Sequence, residues 1–177
     1  LLLIEVHDEN EMKIIKANIV ELWKQGKIVC ITTNGYIKKS KEGVLGRGNA
    51  LAMAKLILDL PKNLGQHLEK YGNIVGFIYE RIIVFPVKPS YGNYEQTLDH
   101  IKPRFKPTDE NVPGFWCKAD LGLIQRSMIQ LSYLIKDNNL KEVYLPIPGV
   151  SNGGLDKDVV LKILEKITPE EVIFCYL

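Results

Sequence analysis

Apolar positions along the chain fall into two rhythms. Short β-branched and aromatic runs at "MKIIKA" (12–17), "KIVCITT" (27–33), "NIVGFIY" (73–79), "RIIVFPV" (81–87), "EVYLPI" (142–147) and "EVIFCYL" (171–177) are each bounded by Gly, Asn, Pro or charge, and they predict six strands. Between them the apolar spacing changes to three and four residues. Asn18 is placed to cap "IVELWKQG", a second helix is expected over Asn49 to Leu60, and "PKNLGQHLEKYG" carries Pro61 in its first turn and Gly72 at its end. Leu121, Ile124, Met128, Leu131, Leu134 and Ile135 mark one face of a helix from Asp120, and a last helix follows Asp156. Strands alternating with helices predict an α/β layered domain, with several strands apolar enough to be covered on both faces. "NIVGFIYERIIVFP" has the form of a hairpin, so the sheet should be mixed.

One stretch breaks the rhythm. Pro89 to Gly114, with Pro89, Pro103, Pro107 and Pro113 and little periodicity, reads as an insertion. Long irregular connections inside compact domains are often lids or binding loops, and Tyr91, Tyr94 and Phe105 are too few apolar residues for the segment to fold alone. It is expected to close over a cleft; a solvated excursion without a role is the other reading.

At 177 residues the chain suits a single domain, 1–177, with a proper core. Apolar residues at 46%, charged residues at 25% and a formal charge of +2 give no global attraction to nucleic acid or membrane, so any basic surface must be local. Cys30, Cys117 and Cys175 are odd in number and far apart, without CxxC spacing or a nearby His pair, which argues against a disulfide framework or zinc site. "LLLIEV" is too short for a signal sequence and lacks a basic region before it. A cytoplasmic protein with no membrane partner is expected.

The candidate chemistry lies in two glycine-rich loops. "EGVLGRGNALAMAKL" (42–56) places Gly43, Gly46 and Gly48 directly before good helix formers. Backbone N–H groups of such a loop, together with a helix N-terminus, suit an anion such as phosphate; glycines that merely serve a tight strand-to-helix turn are the alternative. The Walker and GxGxxG patterns are both excluded, since Gly48 is followed by Asn-Ala-Leu. "LPIPGVSNGGLDKDVV" (145–160) repeats the design after another strand, with Gly149, Gly153 and Gly154 leaving room for a ligand, Ser151 and Asn152 adding neutral donors, and Asp156 placed to cap the next helix. Side by side at the carboxyl edge of a sheet, the two loops describe a diphosphate clamp.

In this order, "ITTNGYIKKSKEGVLGRGNALA", "VFPVK", "WCKADLGLIQRS" and "LPIPGVSNGGLD" resemble a macrodomain over nearly Lys13 to Tyr176. The chain is most similar to the branch with the terminal ADP-ribose protein glycohydrolase and the antitoxin that strips ADP-ribose from DNA, which has bacterial and phage relatives. The resemblance implies a three-layer α/β/α sandwich around a mixed, roughly six-stranded sheet, binding ADP-ribose without a cofactor. In that mapping Gly43, Val44, Gly46, Arg47, Gly48 and Asn49, with Pro148, Gly149, Val150, Ser151, Asn152, Gly153, Gly154 and Leu155, grip the diphosphate and distal ribose. Thr33 and Asn34 lead into the distal ribose pocket, and Asn18 and Ile19 stand at the adenine end. Most macrodomains have Asp where this chain has Asn18, which can accept a hydrogen bond through its amide oxygen and cap a helix at once. The human-type glycohydrolase has a catalytic Asp matching Gly153; the antitoxin branch tends to have Gly.

The resemblance also makes Lys88, at the end of "FPVK", a nucleophile whose pKa burial or a cation such as Lys118 or Arg47 would lower. Trp116 could stack on the distal ribose or plug a helix end. Lys38, Lys39 and Lys41 are either a phosphate-attracting cluster or a solvated turn. No metal constellation is visible. The expected activity is hydrolysis of ADP-ribosyl linkages on DNA, RNA or protein, in functional pairing with an ADP-ribosyltransferase. A non-catalytic ADP-ribose-binding module and an ADP-ribose-1″-phosphate phosphatase are the alternatives.

Overall fold

A computed structural model of the chain describes residues 4–7 and 12–177. The six expected strands form: β2 (Met12–Lys16), β3 (Ile28–Asn34), β4 (Gly76–Tyr79), β5 (Ile82–Lys88), β8 (Val143–Pro146) and β9 (Val172–Tyr176). A strand not expected, β1 (Ile4–His7), pairs antiparallel with β2 at one edge. The sheet order is β1-β2-β9-β8-β3-β5-β4, in which the five inner strands run parallel. The predicted hairpin supplies the antiparallel β4 at the other edge.

Alternate side chains of the inner strands enter two cores. Cys30, Ile83 and Phe85 face α4 (Leu121–Asp137) and α5 (Lys157–Leu164), while Val29, Ile31, Ile82 and Val84 face α1 (Ile19–Lys24), α2 (Gly48–Leu56) and α3 (Leu60–Tyr71). The result is the three-layer α/β/α sandwich that the resemblance implied. Side chains of Asn18, Asp120 and Asp156 cap α1, α4 and α5 by accepting backbone N–H bonds. The second helix is shorter than expected. It stops at Leu56 instead of Leu60, because Ile57 turns to extended backbone and Pro61 opens α3 with its fixed φ.

The insertion is ordered. β6 (Tyr91–Gly92) and β7 (Val112–Pro113) pair at its neck, and short 3-10 turns between them bury Thr97, Leu98 and Ile101. Beyond it, Lys118 N–H donates to Gln96 O at 2.7 Å, Asp120 N–H to Val87 O and Ala119 N–H to Gly153 O, both at 2.9 Å. These bonds tie the segment ahead of α4 to both β5 and the second glycine loop. Cys30, Cys117 and Cys175 are free thiols. Among the described residues no helix is long and apolar enough to cross a membrane.

Candidate functional site

The carboxyl ends of the parallel strands open into a cleft of about 810 Å³, the position where open α/β sheets take ligands. Thr32, Thr33 and Asn34 of β3, Val87 and Lys88 of β5, and Pro146 and Cys175 form its floor. Residues Val44 to Ala50 and Gly149 to Gly153 form its walls, with Phe115 and Trp116 at the Lys88 end.

Asn34 builds the first wall. Its amide donates to Val44 O at 3.2 Å and accepts from Tyr36 N–H at 3.0 Å, pinning the glycine loop to the end of its strand. Arg47 then stands at the N-cap of α2 in extended backbone, and no side chain caps this helix. Gly48, Asn49 and Ala50 are its first residues, whose N–H groups have no partner within a helix. Gly48 has φ +57, which a side chain would strain, and a Cβ there would sit 3.2 Å from Asn152 Nδ2. The two loops therefore face each other at contact distance. In the second, Leu155 N–H donates to Gly149 O, and the N–H groups of Val150, Ser151 and Asn152 find no backbone acceptor among the described residues.

Polarity sharpens the picture. The charged side chains lining the cleft are Arg47, Lys88 and Lys157, and no Asp or Glu side chain among the described residues joins them. Open N–H groups and three cations make this a site for an anion. Thr33 Oγ1 is buried in the floor without a hydrogen-bond partner.

Lys88 is the unusual group. The ladder between β3 and β5 shifts register at Thr33/Asn34, where Pro86 has no N–H to donate, and Lys88 follows on the cleft side of that shift. Its side chain is buried, with Nζ 3.3 Å from Phe115 O as hydrogen-bond acceptor. Burial, with help from Arg47, lowers its pKa to about 8, although nearby Cys117 acts in the opposite sense. At that value roughly a tenth of the amine is neutral at pH 7, against a few parts in ten thousand for a solvated lysine. Lys118, the other expected neighbour, pairs instead with Asp99 at 3.3 Å.

Trp116 lies edge-on to Phe115 and to Phe105 of the insertion, with ring centroids 5.0 and 5.5 Å apart, and Arg104 stands over its ring. The insertion thus buttresses one end of the cleft, while no residue from Pro89 to Gly114 lines it.

Of the expected site residues, the cleft gathers Asn18, Thr33, Asn34, Val44, Gly46, Arg47, Gly48, Asn49, Lys88, Trp116, Gly149, Val150, Ser151, Asn152 and Gly153. Five stand outside its lining. Ile19, the first residue of α1, is buried in the core, and Gly43 donates to Pro61 O and packs on Leu64 of α3. Pro148 is buried, Leu155 packs on the α4/α5 core, and Gly154 turns the chain away at φ +74. A further correction concerns Asn18, whose Oδ1 already accepts from Val20 N–H at 2.9 Å and Glu21 N–H at 3.2 Å. What it offers the cleft is the amide nitrogen. Lys38, Lys39 and Lys41 are exposed and outside the cleft.

Sequence reasoning missed Phe115, Ile147, Lys157, Tyr176 and the small floor residues Ala17 and Ala52. The rule that strand ends line the crevice would have found Tyr176 in "EVIFCYL", and Lys157 is the first residue of the helix after the second loop.

No family model and no curated protein sequence matches this chain. Solved structures do. The macrodomain of Mycobacterium tuberculosis DarG is 17% identical with a TM-score of 0.57, covering 84% of this chain and 88% of its own. The macrodomain of Thermus aquaticus DarG is 15% identical with a TM-score of 0.60, over 93% and 96%. Thermosipho africanus DarTG, solved in complex with ADP-ribose, is 14% identical with a TM-score of 0.63; the match takes in 98% of this chain and 43% of that longer one. The chain has the macrodomain fold.

Proposed function

We propose that the protein binds ADP-ribose and hydrolyses ADP-ribosyl linkages on nucleic acid or protein, with Lys88 as nucleophile. The observation that carries this reading is the pairing of an anion-binding corner with a buried, partly neutral lysine in one cleft lined by no Asp or Glu side chain among the described residues. Similarity of fold to DarTG, which was solved with ADP-ribose, supports the same ligand. The diphosphate sits between the facing loops, where open N–H groups and Arg47 meet its charge. The distal ribose then reaches toward Lys88 and the Phe115 and Trp116 rings, and the base lies toward Asn18 and Tyr176.

In this reading the neutral Nζ of Lys88 attacks the anomeric carbon, a C–N bond forms, and the bond to the modified group breaks. The attacking amine gives up a proton as the departing group gains one, and the ribose ring opens to a Schiff base. Water hydrolyses the imine, releasing ADP-ribose and the free amine. An ADP-ribosyltransferase would supply the substrate.

A second reading, a module that binds ADP-ribose without turning it over, is favoured by the lack of an Asp or Glu side chain among the described cleft residues to act as acid or base. At Gly153 the loop is closed to one, because a Cβ would stand 2.7 Å from the backbone carbon and Cα of Gly149.

Borohydride added during turnover of an ADP-ribosylated oligonucleotide or peptide should leave an ADP-ribosyl adduct on Lys88, read by mass spectrometry. Lys88→Ala should bind ADP-ribose and hydrolyse nothing, and Lys88→Arg should be equally inactive, since a guanidinium stays charged. Wild-type turnover by Lys88→Ala would sink the lysine mechanism. Binding without turnover of DNA-, RNA- or protein-linked ADP-ribose by the wild type would leave the binding module.

A further inference from the structure

β5 outruns one of its neighbours. β4 begins at Gly76, opposite Val84, while β5 runs on to Lys88, so the carbonyls of Pro86 and Lys88 have no partner on β4. Side chains take over where the strand is missing. Ser127 Oγ of α4 donates to Pro86 O at 2.7 Å, and Asn73 Nδ2, from the turn between α3 and β4, donates to Lys88 O at 2.9 Å. Gln130, one turn along α4 from Ser127, accepts from Val75 N–H at 3.0 Å and so holds the segment that carries Asn73.

The orientation of Asn73 is fixed by what it meets. Nδ2 faces Lys88 O, because Oδ1 there would oppose a second acceptor, and Oδ1 is then left buried without a partner among the described residues. An orphaned buried carbonyl costs stability, and an apolar side chain of that size would avoid the cost. What the amide supplies is one bond, to the peptide of Lys88. Gly35 closes another side: a Cβ there would stand 2.9 Å from Asn73 Cγ, and Gly35 N–H donates to Pro89 O at 3.2 Å. Asn73 is wedged between the ends of β3 and β5, although it does not line the cleft.

We infer that Asn73 is a positioning residue for Lys88: it holds the last peptide of β5 where β4 gives no support, and so fixes the direction from which the amine enters the cleft. Its bearing on catalysis rests on the proposed lysine nucleophile. With the Lys88 carbonyl tethered at one end and Nζ on Phe115 O at the other, the side chain spans two fixed points and the amine stays out of bulk water. Without the tether the strand end can tilt and Nζ can swing toward solvent. An attacking atom tolerates little such slack.

Titration of Lys88 reads the tether and needs no turnover. Acylation with acetic anhydride at steps of pH, followed at Lys88 by mass spectrometry, reports the neutral amine, and the wild-type midpoint should lie near 8. In Asn73→Leu the midpoint should move about half to one pH unit to the alkaline side, the scale of one hydrogen bond. Arg47 from the first glycine loop and Cys117 from the segment ahead of α4, the groups that act on Nζ, are the same in both proteins. Ser127→Ala is the control. It removes a buried bond two residues back, where the proline ring already fixes φ, so it should lose stability and leave the midpoint unmoved.

With Lys88 as nucleophile, Asn73→Leu should also lower kcat about tenfold or more, with KM and ADP-ribose affinity unchanged, since position 73 lies outside the cleft lining. An unmoved midpoint in Asn73→Leu, or an equal shift in Ser127→Ala, overturns the inference whatever the wild type hydrolyses. A wild type that turns nothing over, with the midpoint shifted in Asn73→Leu alone, overturns the nucleophile reading and supports the positioning of the amine. Should Asn73→Leu not fold, Asn73→Ala, which admits water to the Lys88 carbonyl, is read by the same titration with the same two outcomes.

Discussion

Replacing Lys88 with Met should make the protein more stable at neutral pH, because the wild type holds a charge where burial disfavours it. A fall in pKa from 10.5 to about 8 corresponds to about 3 kcal/mol of destabilisation while the amine is protonated in both folded and unfolded chains. Lys88 is 8% exposed, so solvent offsets little of this. Met has a stem of similar length and no charge, but it leaves Phe115 O without the Nζ–H bond, a loss of about 1 kcal/mol. The net gain is about 2 kcal/mol, or roughly 4 to 8 °C in melting temperature for a chain of this size.

The sign with pH follows from which state holds the proton. Below about pH 8 both states are protonated and the full penalty stands. Between about 8 and 10.5 the folded chain releases a proton that the unfolded chain keeps, so wild-type stability rises relative to Lys88→Met and the gap closes. Urea unfolding of both proteins at steps from pH 7 to pH 10 reads this directly, and groups common to both cancel. A variant no more stable at pH 7, or a gap that does not shrink with pH, would refute a desolvated lysine.

Three further outcomes are expected. Arg47→Gln removes a cation that holds the Lys88 pKa down, so the rise of hydrolysis with pH, centred near 8 in the wild type, should move to the alkaline side; an unmoved midpoint would mean burial acts alone. ADP-ribose at a hundredfold excess over its Kd should stabilise the wild type by about 2.7 kcal/mol, and Gly48→Val, forced to φ +57 against Asn152, should lose that shift at a cost in stability of about 1 to 2 kcal/mol; a full shift in the variant would remove the phosphate from this corner. If the insertion closes on bound ligand, ADP-ribose should slow proteolysis between Ser90 and Val112, and equal cutting with and without it would make the segment a passive buttress of Trp116.

The fold was legible where period and composition agree. The run "RIIVFPVK" could only be a covered strand, and the heptad-like spacing from Leu121 to Ile135 could only be a helix with one buried face. Helix formers continuing past Leu56 hid the break at Ile57, and β1 was too short to stand out from the terminal apolar run. The glycine loops announced themselves by composition. Roles that depend on partners did not: no pattern in "KANIV" says that the Asn18 oxygen is filled by two helix N–H groups. Likewise, Tyr176 and Lys157 enter the cleft through a strand order, β2 beside β9 beside β8, that periodicity does not encode.

The contact between Gly153 and Gly149 constrains how this sequence can change over time. Any side chain at 153 must displace the backbone at 149, and position 149 is itself held at φ +78, where an added Cβ would come within 2.9 Å of both Ile124 and Ala119. Neither site can be altered first without loss, since a side chain at 153 meets the backbone of 149 and one at 149 meets Ile124, Ala119 and Leu155. A lineage carrying this loop therefore gains an acidic group at 153 only together with a shift of the loop backbone at 149. Inheritance of the turn fixes the backbone at both glycines, and descendants are expected to vary at Ser151 and Asn152, which are exposed, before they vary at Gly149 and Gly153.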